Sequence, residues 1–318
     1  MDALAKSFYS AMLSGLGECP VWVPPNLSST LQSQLTSFVA WQLSCVPDFK
    51  PEKTLVTPDR LKSVHLNMIH PERYRLVICL GAGIDSTIAV YYAIKVLNFL
   101  PEDIAVLHIS YGAPYENKEK KATLELRRQF RDLGVEVFTA RIEDAHRGGK
   151  CLDASKFPRG YIIPVRNPLL ATIGSIVGDE VWIVANWRKI EDGKATLDKG
   201  RKFYGHMSEL LSMYWERPIQ VRSPFLHMTK AASIRWFINE FGMEAAETLL
   251  AKTVSCYSDF GEGRCGECYS CYKAYKVFQK FGMQKLLNSF ETNPEEYDMF
   301  EEFERREREK GRHLEVVE

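Results

Sequence analysis

Two constellations in the sequence are equipped for chemistry. The first is Cys256, Cys265, Cys268 and Cys271, where two overlapping CxxC steps follow a cysteine nine residues upstream. Turns of that size let neighbouring thiolates converge. Four of them fill a tetrahedral shell and leave no open position, so the chemistry is structural: zinc, or an iron–sulfur cluster, which also takes four cysteines. The second is LGAGIDST, Leu80 to Thr87. Here Gly81, Ala82 and Gly83 break an apolar run, and Ile84, Asp85, Ser86 and Thr87 lead into a helix-forming segment. Backbone N–H groups at such a loop and first turn point outward together, and the helix dipole adds partial positive charge. The fitting ligand is an anion, with phosphate first among them.

Other polar residues stand at similar junctions. Tyr111 and Gly112 follow a predicted strand, Arg166 and Asn167 open a predicted helix, and Asn186 begins a polar loop that contains Asp198 and ends at Arg201. An arginine and an asparagine at a helix start can cap it and touch a phosphate or carboxylate, because a guanidinium fork matches such anions. A structural salt bridge is the simpler use of Arg166. Packing serves Tyr111 and Trp187 as well as ligand stacking does. Lys230, near another helix start, suits either phosphate contact or a solvated surface.

The elements that must position these residues alternate. From Arg75 onward the pattern predicts a strand over Leu76 to Leu80 and, after the loop, a helix. A strand follows over Ile104 to Ser110, and then an amphipathic helix over Glu116 to Leu133 with Lys118, Lys120, Lys121 and Arg127 outward. A strand over Val135 to Ala140, a helix from near Asn167, a strand over Glu180 to Ala185 and a fifth strand near Pro218 to Val221 complete the series. Such alternation predicts an α/β fold, a doubly wound parallel sheet with ligands at the carboxyl ends of its strands. Four segments follow: an accessory region over 1–72, the sheet domain over 73–250, a four-cysteine, zinc-binding helical module over 251–290 and a charged tail over 291–318. The accessory region reads as helical over Asp2 to Leu16 and Leu27 to Val46, either docked on the core or on a second subunit of a homodimer or used to recognise a partner. The tail reads as a solvated helix with i,i+4 pairs Glu301–Arg305 and Glu304–Arg308.

Composition removes several function classes. With 41 basic and 41 acidic residues the net charge is zero, so no global field draws the chain to nucleic acid or an anionic membrane. The most apolar stretch, Leu76 to Ile94, carries Gly-Ala-Gly and an Asp at mid-depth and is a poor bilayer helix. No basic segment followed by an apolar core opens the chain, which predicts a cytoplasmic protein. In that compartment clustered cysteines point to metal before disulfides. Cys19, Cys45, Cys79 and Cys151 then read as free buried thiols.

Taken in order, LGAGIDST, SYG, IPVRN, VRSPFLHMTKA and SCY…RCGECYSC resemble the QueC family, the 7-cyano-7-deazaguanine synthases of the PP-loop ATP pyrophosphatase superfamily, over Tyr74 to Gly282. The resemblance implies an adenine-nucleotide α-hydrolase (HUP) fold, ATP held at Leu80 to Thr87, magnesium, and structural zinc on Cys256, Cys265, Cys268 and Cys271. It implies that 7-carboxy-7-deazaguanine is joined to AMP through its carboxylate, that ammonia displaces AMP to give an amide, and that a second activation yields the nitrile. Asp85, Ser86 and Arg166 take the catalytic positions. Tyr111, Gly112, Arg166, Asn167, Asn186 and Asp198 surround the substrate.

This sequence departs from the family pattern at several points. Gly81 stands where the family has serine, Ala82 where it has glycine, and Ser110 where it has an acid, and the segment from Trp187 to Gly200 is recast. QueC-like proteins also occur in anti-phage operons. The acceptor is therefore expected to be either ammonia or an amine of a partner protein. Two other classes stay open: a PP-loop tRNA-modifying sulfur transferase, which needs a reactive cysteine pair at the loop, and a non-catalytic nucleotide-binding module.

Overall fold

Strand β2, Tyr74–Cys79, is apolar over its last four residues, and all four are buried. Apolar residues on both faces of a strand require cover on both faces, which a parallel sheet between two helical layers supplies. The computed structural model describes residues 64–66, 73–142, 150–151, 161–162, 166–186, 199–258 and 261–309. The two helices expected within residues 1–72 lie outside them.

The sheet holds β1 (Val64–Leu66), β2, β3 (Ile104–Ser110), β4 (Glu136–Ile142), β7 (Gly178–Trp182) and β8 (Gln220–Arg222), in the order β1-β4-β3-β2-β7-β8. Only β1 runs antiparallel, on β4, and the other five are mutually parallel. A separate two-stranded ribbon pairs β5 (Lys150–Cys151) with β6 (Tyr161–Ile162). The chain steps outward from β2 through β3 to β4, then returns to the other side of β2 for β7 and β8. That reversal opens a crevice at the carboxyl ends of β2 and β7, where ligands bind in doubly wound sheets.

Helices α1 (Ile84–Lys95), α2 (Glu116–Asp132), α5 (Lys230–Phe241), α6 (Met243–Ala251) and α7 (Tyr269–Lys280) share one core with the sheet, built on Ile88, Phe130, Phe237, Leu250 and Phe278. On the opposite face lie α3 (Arg166–Val177), with Leu169 and Ile173, and α4 (Arg201–Trp215), with Phe203 and Met207. Close approach is built in at Gly178, where an added Cβ would stand 2.7 Å from the Tyr74 carbonyl oxygen. The fold is the α/β, parallel sheet expected from the alternation, and it is consistent with the HUP type that the resemblance implies.

Three expectations are corrected. Strand β7 begins at Gly178 and ends at Trp182, because Ile183 to Asn186 leave the ladder while Ile183 still donates to the Arg222 carbonyl at 3.1 Å. Lys118 does not face outward. It is buried, since its ammonium turns to the Gly263 carbonyl at 3.0 Å and to Cys256 Sγ at 3.5 Å. In the tail, after the short helix α8 (Gln284–Leu287), α9 (Phe300–Glu309) is docked rather than fully solvated. Phe303 is 1% exposed against Tyr269 and Tyr272. Arg305 accordingly pairs with Glu302 at 2.8 Å, and Glu304 with Lys276 of α7 at 2.9 Å.

Candidate active site

The phosphate loop emerges from β2 into the crevice. Leu80, buried, continues the ladder by donating to the Leu107 carbonyl at 2.8 Å, and its own carbonyl lies 3.0 Å from His108 Nδ1. Gly81 is exposed, and a Cβ there would meet nothing within 4 Å. Ala82 is fully buried with φ +50, a left-handed conformation that costs a residue with a Cβ about 1–2 kcal/mol. What holds it is the Val254 N–H, which donates to the Ala82 carbonyl at 2.8 Å. Gly83 caps α1 in an extended conformation, and a Cβ on it would approach Ser255 Oγ to 3.1 Å. Ile84 and Thr87 are buried, and Ser86 donates to the Gly83 carbonyl at 3.3 Å.

Asp85, in the first turn of α1, is the hub of the polar contacts. Lys230, at the start of α5, reaches Asp85 Oδ2 at 2.6 Å, with both side chains about one-quarter exposed (27% and 25%). With the amide of Asn186 assigned from its hydrogen-bonding surroundings, its nitrogen lies 2.8 and 2.9 Å from the two carboxylate oxygens. A loop after β2, a segment after β7 and a helix start 145 residues away in sequence thus meet on one carboxylate.

A cavity of about 430 Å³ opens over this point, a volume in the range of small-molecule and cofactor sites. Five lysines (Lys199, Lys230, Lys273, Lys276 and Lys280) and Arg166 line it, against the acids Asp85 and Glu119. That excess of positive charge, together with the amides at the start of α1, suits a polyphosphate. On the β3 side the wall is Tyr111, Glu119, Arg166 and Tyr257. Burial pushes the Glu119 carboxyl up to about 7, with Arg166 pulling it down and Glu116 pushing it up. Burial alone would lower the Arg166 pKa, but Tyr115, Tyr257, Tyr111 and Glu119 around it raise it overall. Gly112 has φ +75 and donates to Glu116, while Asn167 is buried behind Arg166.

Behind the cavity the four expected cysteines converge. All are buried, and their sulfur atoms lie within 4.8 Å of one another. Cys265 and Cys271 are 3.9 Å apart, close to the ~3.8 Å edge of a tetrahedron with Zn–S bonds of about 2.3 Å. Backbone N–H groups of Ser258, Glu267 and Cys271 each approach a sulfur at 3.4 Å. Hydrogen bonds from the Cys265, Cys268 and Cys271 thiols hold Cys256 far on the thiolate side. The donor set fits a structural zinc ion. Gly266, with φ +81, is required in this turn, because a Cβ would stand 1.7 Å from the Thr292 carbonyl oxygen. Lys118 and the buried Arg264 place two positive charges around sulfurs that carry negative charge when metallated.

The family model described as "Queuosine biosynthesis protein QueC" matches residues 75–282. The chain belongs to the QueC family. No curated protein matches it. At the level of the family, QueC membership carries an ATP-dependent activity of the 7-cyano-7-deazaguanine synthase kind, forming a C–N bond on a small molecule with ammonia. Among the described residues no helix is long and apolar enough to cross a membrane.

The geometry gives the departures from the QueC loop a physical meaning. A glycine at position 82 would adopt φ +50 without strain. A serine at 81 would project into open space beside the phosphate seat. Gly81→Ser is therefore expected to fold normally and to tighten ATP by about 2- to 10-fold, the value of one added hydrogen bond at ~0.5–1.5 kcal/mol. Isothermal titration with ATP checks this, and weaker binding would show that the hydroxyl does not reach the phosphates. Ser110 is buried in β3 and does not line the cavity. Asp198 lies outside the described residues.

Of the residues singled out in the sequence, Leu80, Gly81, Gly83 to Ser86, Tyr111, Arg166, Asn167 and Asn186 line one cavity, while Ala82, Thr87 and Gly112 shape its loops from behind. Sequence reasoning missed Glu119, Tyr257 and the depth of Lys118. The signal that points to Lys118 and Glu119 is that they lie in the first turn of the helix that starts at the same sheet edge, after Tyr111-Gly112.

Proposed function

We propose that this chain uses ATP to activate the carboxylate of a 7-deazaguanine acid and that ammonia then converts the acid to its amide. The observation that carries the reading is the electropositive cavity at the phosphate loop, with Asp85 held between Lys230 and Asn186. A carboxylate is a poor electrophile. Attack of its oxygen on the α-phosphorus breaks the bond to the β-phosphate and releases pyrophosphate. The lone pair of ammonia then attacks the acyl carbon, the bond to AMP breaks with its electron pair on the phosphate, and a proton passes to solvent.

Each residue has a task in this sequence. The first-turn amides of α1 and Lys230 hold the phosphates and stabilise charge that grows on the leaving pyrophosphate. Asp85 orients the Lys230 ammonium and, with Asn186, fits the carboxylate-plus-phosphate coordination that magnesium prefers. Magnesium, when bound, neutralises phosphate charge there. Arg166 and the tyrosines around it exclude water from the acid. Conversion of the amide to the nitrile repeats the activation with a second ATP. ATP and reduced thiols together fit the cytoplasm.

Two rival readings lose support. Apart from Cys256 in the thiol cluster, Cys79 is the cysteine at the cavity among the described residues, and burial pushes its thiol up to about 12. A sulfur transferase needs a thiolate, which such a group barely forms at neutral pH. Ser110 stands outside the cavity wall, so the missing acid there gives no support to a partner's amine as acceptor, and ammonia is the acceptor we propose. The test is to mix protein, ATP, magnesium, 7-carboxy-7-deazaguanine and ammonium and to weigh the products. AMP, pyrophosphate and an amide or nitrile are expected. ADP and phosphate alone would overturn the reading, and a base-sized adduct on a protein encoded beside this one would assign the acceptor to that protein instead.

A further inference from the structure

Glu119 is not explained by the binding of polyphosphate. An acid in the wall of a cavity with an excess of basic residues repels phosphate, and unlike Asp85 this one has no lysine paired with it among the described residues. It comes from the first turn of α2, Arg166 comes from the start of α3, Tyr111 follows β3, and Tyr257 follows Cys256. Tyr115 packs edge-on against Tyr257, with ring centroids 5.3 Å apart, and hydrogen-bonds Arg166, which fixes the guanidinium beside the acid. Among the described residues the Glu119 carboxyl receives no hydrogen bond; what acts on it is burial and the charges of Arg166 and Glu116. Glu119 is half-buried in the cavity wall, and a carboxylate there with no donor set against it among the described residues is open to the donors of a ligand.

We propose, resting on the function proposed above, that Glu119 and Arg166 together read the six-membered-ring edge of the deazaguanine, with Tyr111 and Tyr257 beside the ring system. That edge presents a carbonyl oxygen, a ring N–H and an exocyclic amine in a row, one acceptor followed by two donors. Arg166 donates to the carbonyl, and the two oxygens of Glu119 accept from the ring N–H and the amine. An adenine edge, with donor and acceptor exchanged, sets its amine against Arg166 and a bare nitrogen against Glu119. The acid and the guanidinium thus select a guanine-type base, while the lysines on the other side of the loop take ATP. Glu119 is a specificity residue in this scheme and takes no part in bond making.

The experiment compares wild-type and Glu119→Gln protein on two substrates, 7-carboxy-7-deazaguanine and the same acid without its exocyclic amine, by AMP release with ATP and magnesium. A site built to pair with a donor rejects the analogue that lacks it, so the wild type is expected to prefer the aminated acid by about 10²-fold or more in kcat/KM. Glu119→Gln, which is isosteric, is expected to reduce that preference to less than about 5-fold. The loss should fall mainly in KM for the aminated substrate, with KM for ATP changed by less than about 2-fold. AMP release by the wild type without any preference overturns the inference, as does a preference that survives in Glu119→Gln. No AMP from the wild type with either acid overturns the proposed function itself, which distinguishes the two failures.

Discussion

Asp85→Ala is expected to reduce AMP release by at least about 10²-fold while changing folding stability by less than about 1 kcal/mol. The two magnitudes part because the Asp85–Lys230 pair, at 2.6 Å, is reached by solvent on both sides. Ion pairs of that kind contribute little to folding. In the proposed reaction the same carboxylate would fix the Lys230 ammonium where the phosphates lie, and a group already held in position stabilises developing charge far more than a mobile one does. Asp85→Asn separates charge from shape: it keeps a partner for Lys230 and loses the negative charge, and a loss of rate as large as that in Asp85→Ala is expected. Lys230→Met should raise KM for ATP by roughly 10-fold, one charge-assisted contact. Full activity in Asp85→Ala, with a melting temperature like that of the wild type, would remove Asp85 from the mechanism.

Cys268→Ser is expected to lose the metal and to destabilise the chain by more than about 4 kcal/mol. Cys268 is fully buried and does two jobs, as one of four converging sulfurs and as the N-cap of α7, where its Sγ lies 3.4 Å from the Cys271 N–H. Without metal the three remaining sulfurs protonate, and Lys118 and Arg264 are left at a buried site with little negative charge to face. Purified wild-type protein should carry about one zinc per chain. A strong chelator should lower its melting temperature and, in the same titration, weaken ATP, because Val254, two residues before Cys256, hydrogen-bonds the Ala82 carbonyl of the phosphate loop. Zinc-free protein with unchanged melting and unchanged ATP affinity would overturn both statements. Iron in place of zinc, with visible absorption, would reassign the metal and leave the geometry standing.

The parts of this architecture written in local spacing were legible. Near-continuous apolar runs fix β2 and β3 because a strand covered on both faces tolerates little else. The thiol cluster and the phosphate loop are short motifs whose meaning survives without tertiary information. Boundaries were less legible: Ile183 and Ala185 are buried and look like strand, yet they leave the ladder to carry Asn186 to Asp85. Least legible were Lys118 and Glu119. They sit in the run ENKEKK, where six polar residues read as a wet helix face, and their environments are made by partners elsewhere in the chain. For Lys118 the partners are 138 and 145 residues away. No pattern within a helix encodes contacts of that range.

The hydrogen bond from Val254 to Ala82, together with the thiols that follow it, has a consequence for the growing chain. A nascent polypeptide that has emerged as far as β8 has every strand of the sheet and the whole of Leu80 to Thr87, but neither the amide that pins Ala82 nor the lysine that meets Asp85. Its phosphate loop is unfinished. Domains assemble as their residues leave the ribosome, and contacts of long sequence separation close last. If the loop holds ATP as proposed, its binding is expected to arrive late and all at once, when the last cysteine completes the thiol cluster, and a fragment that ends before Cys271 is expected to be a sheet that cannot sequester ATP.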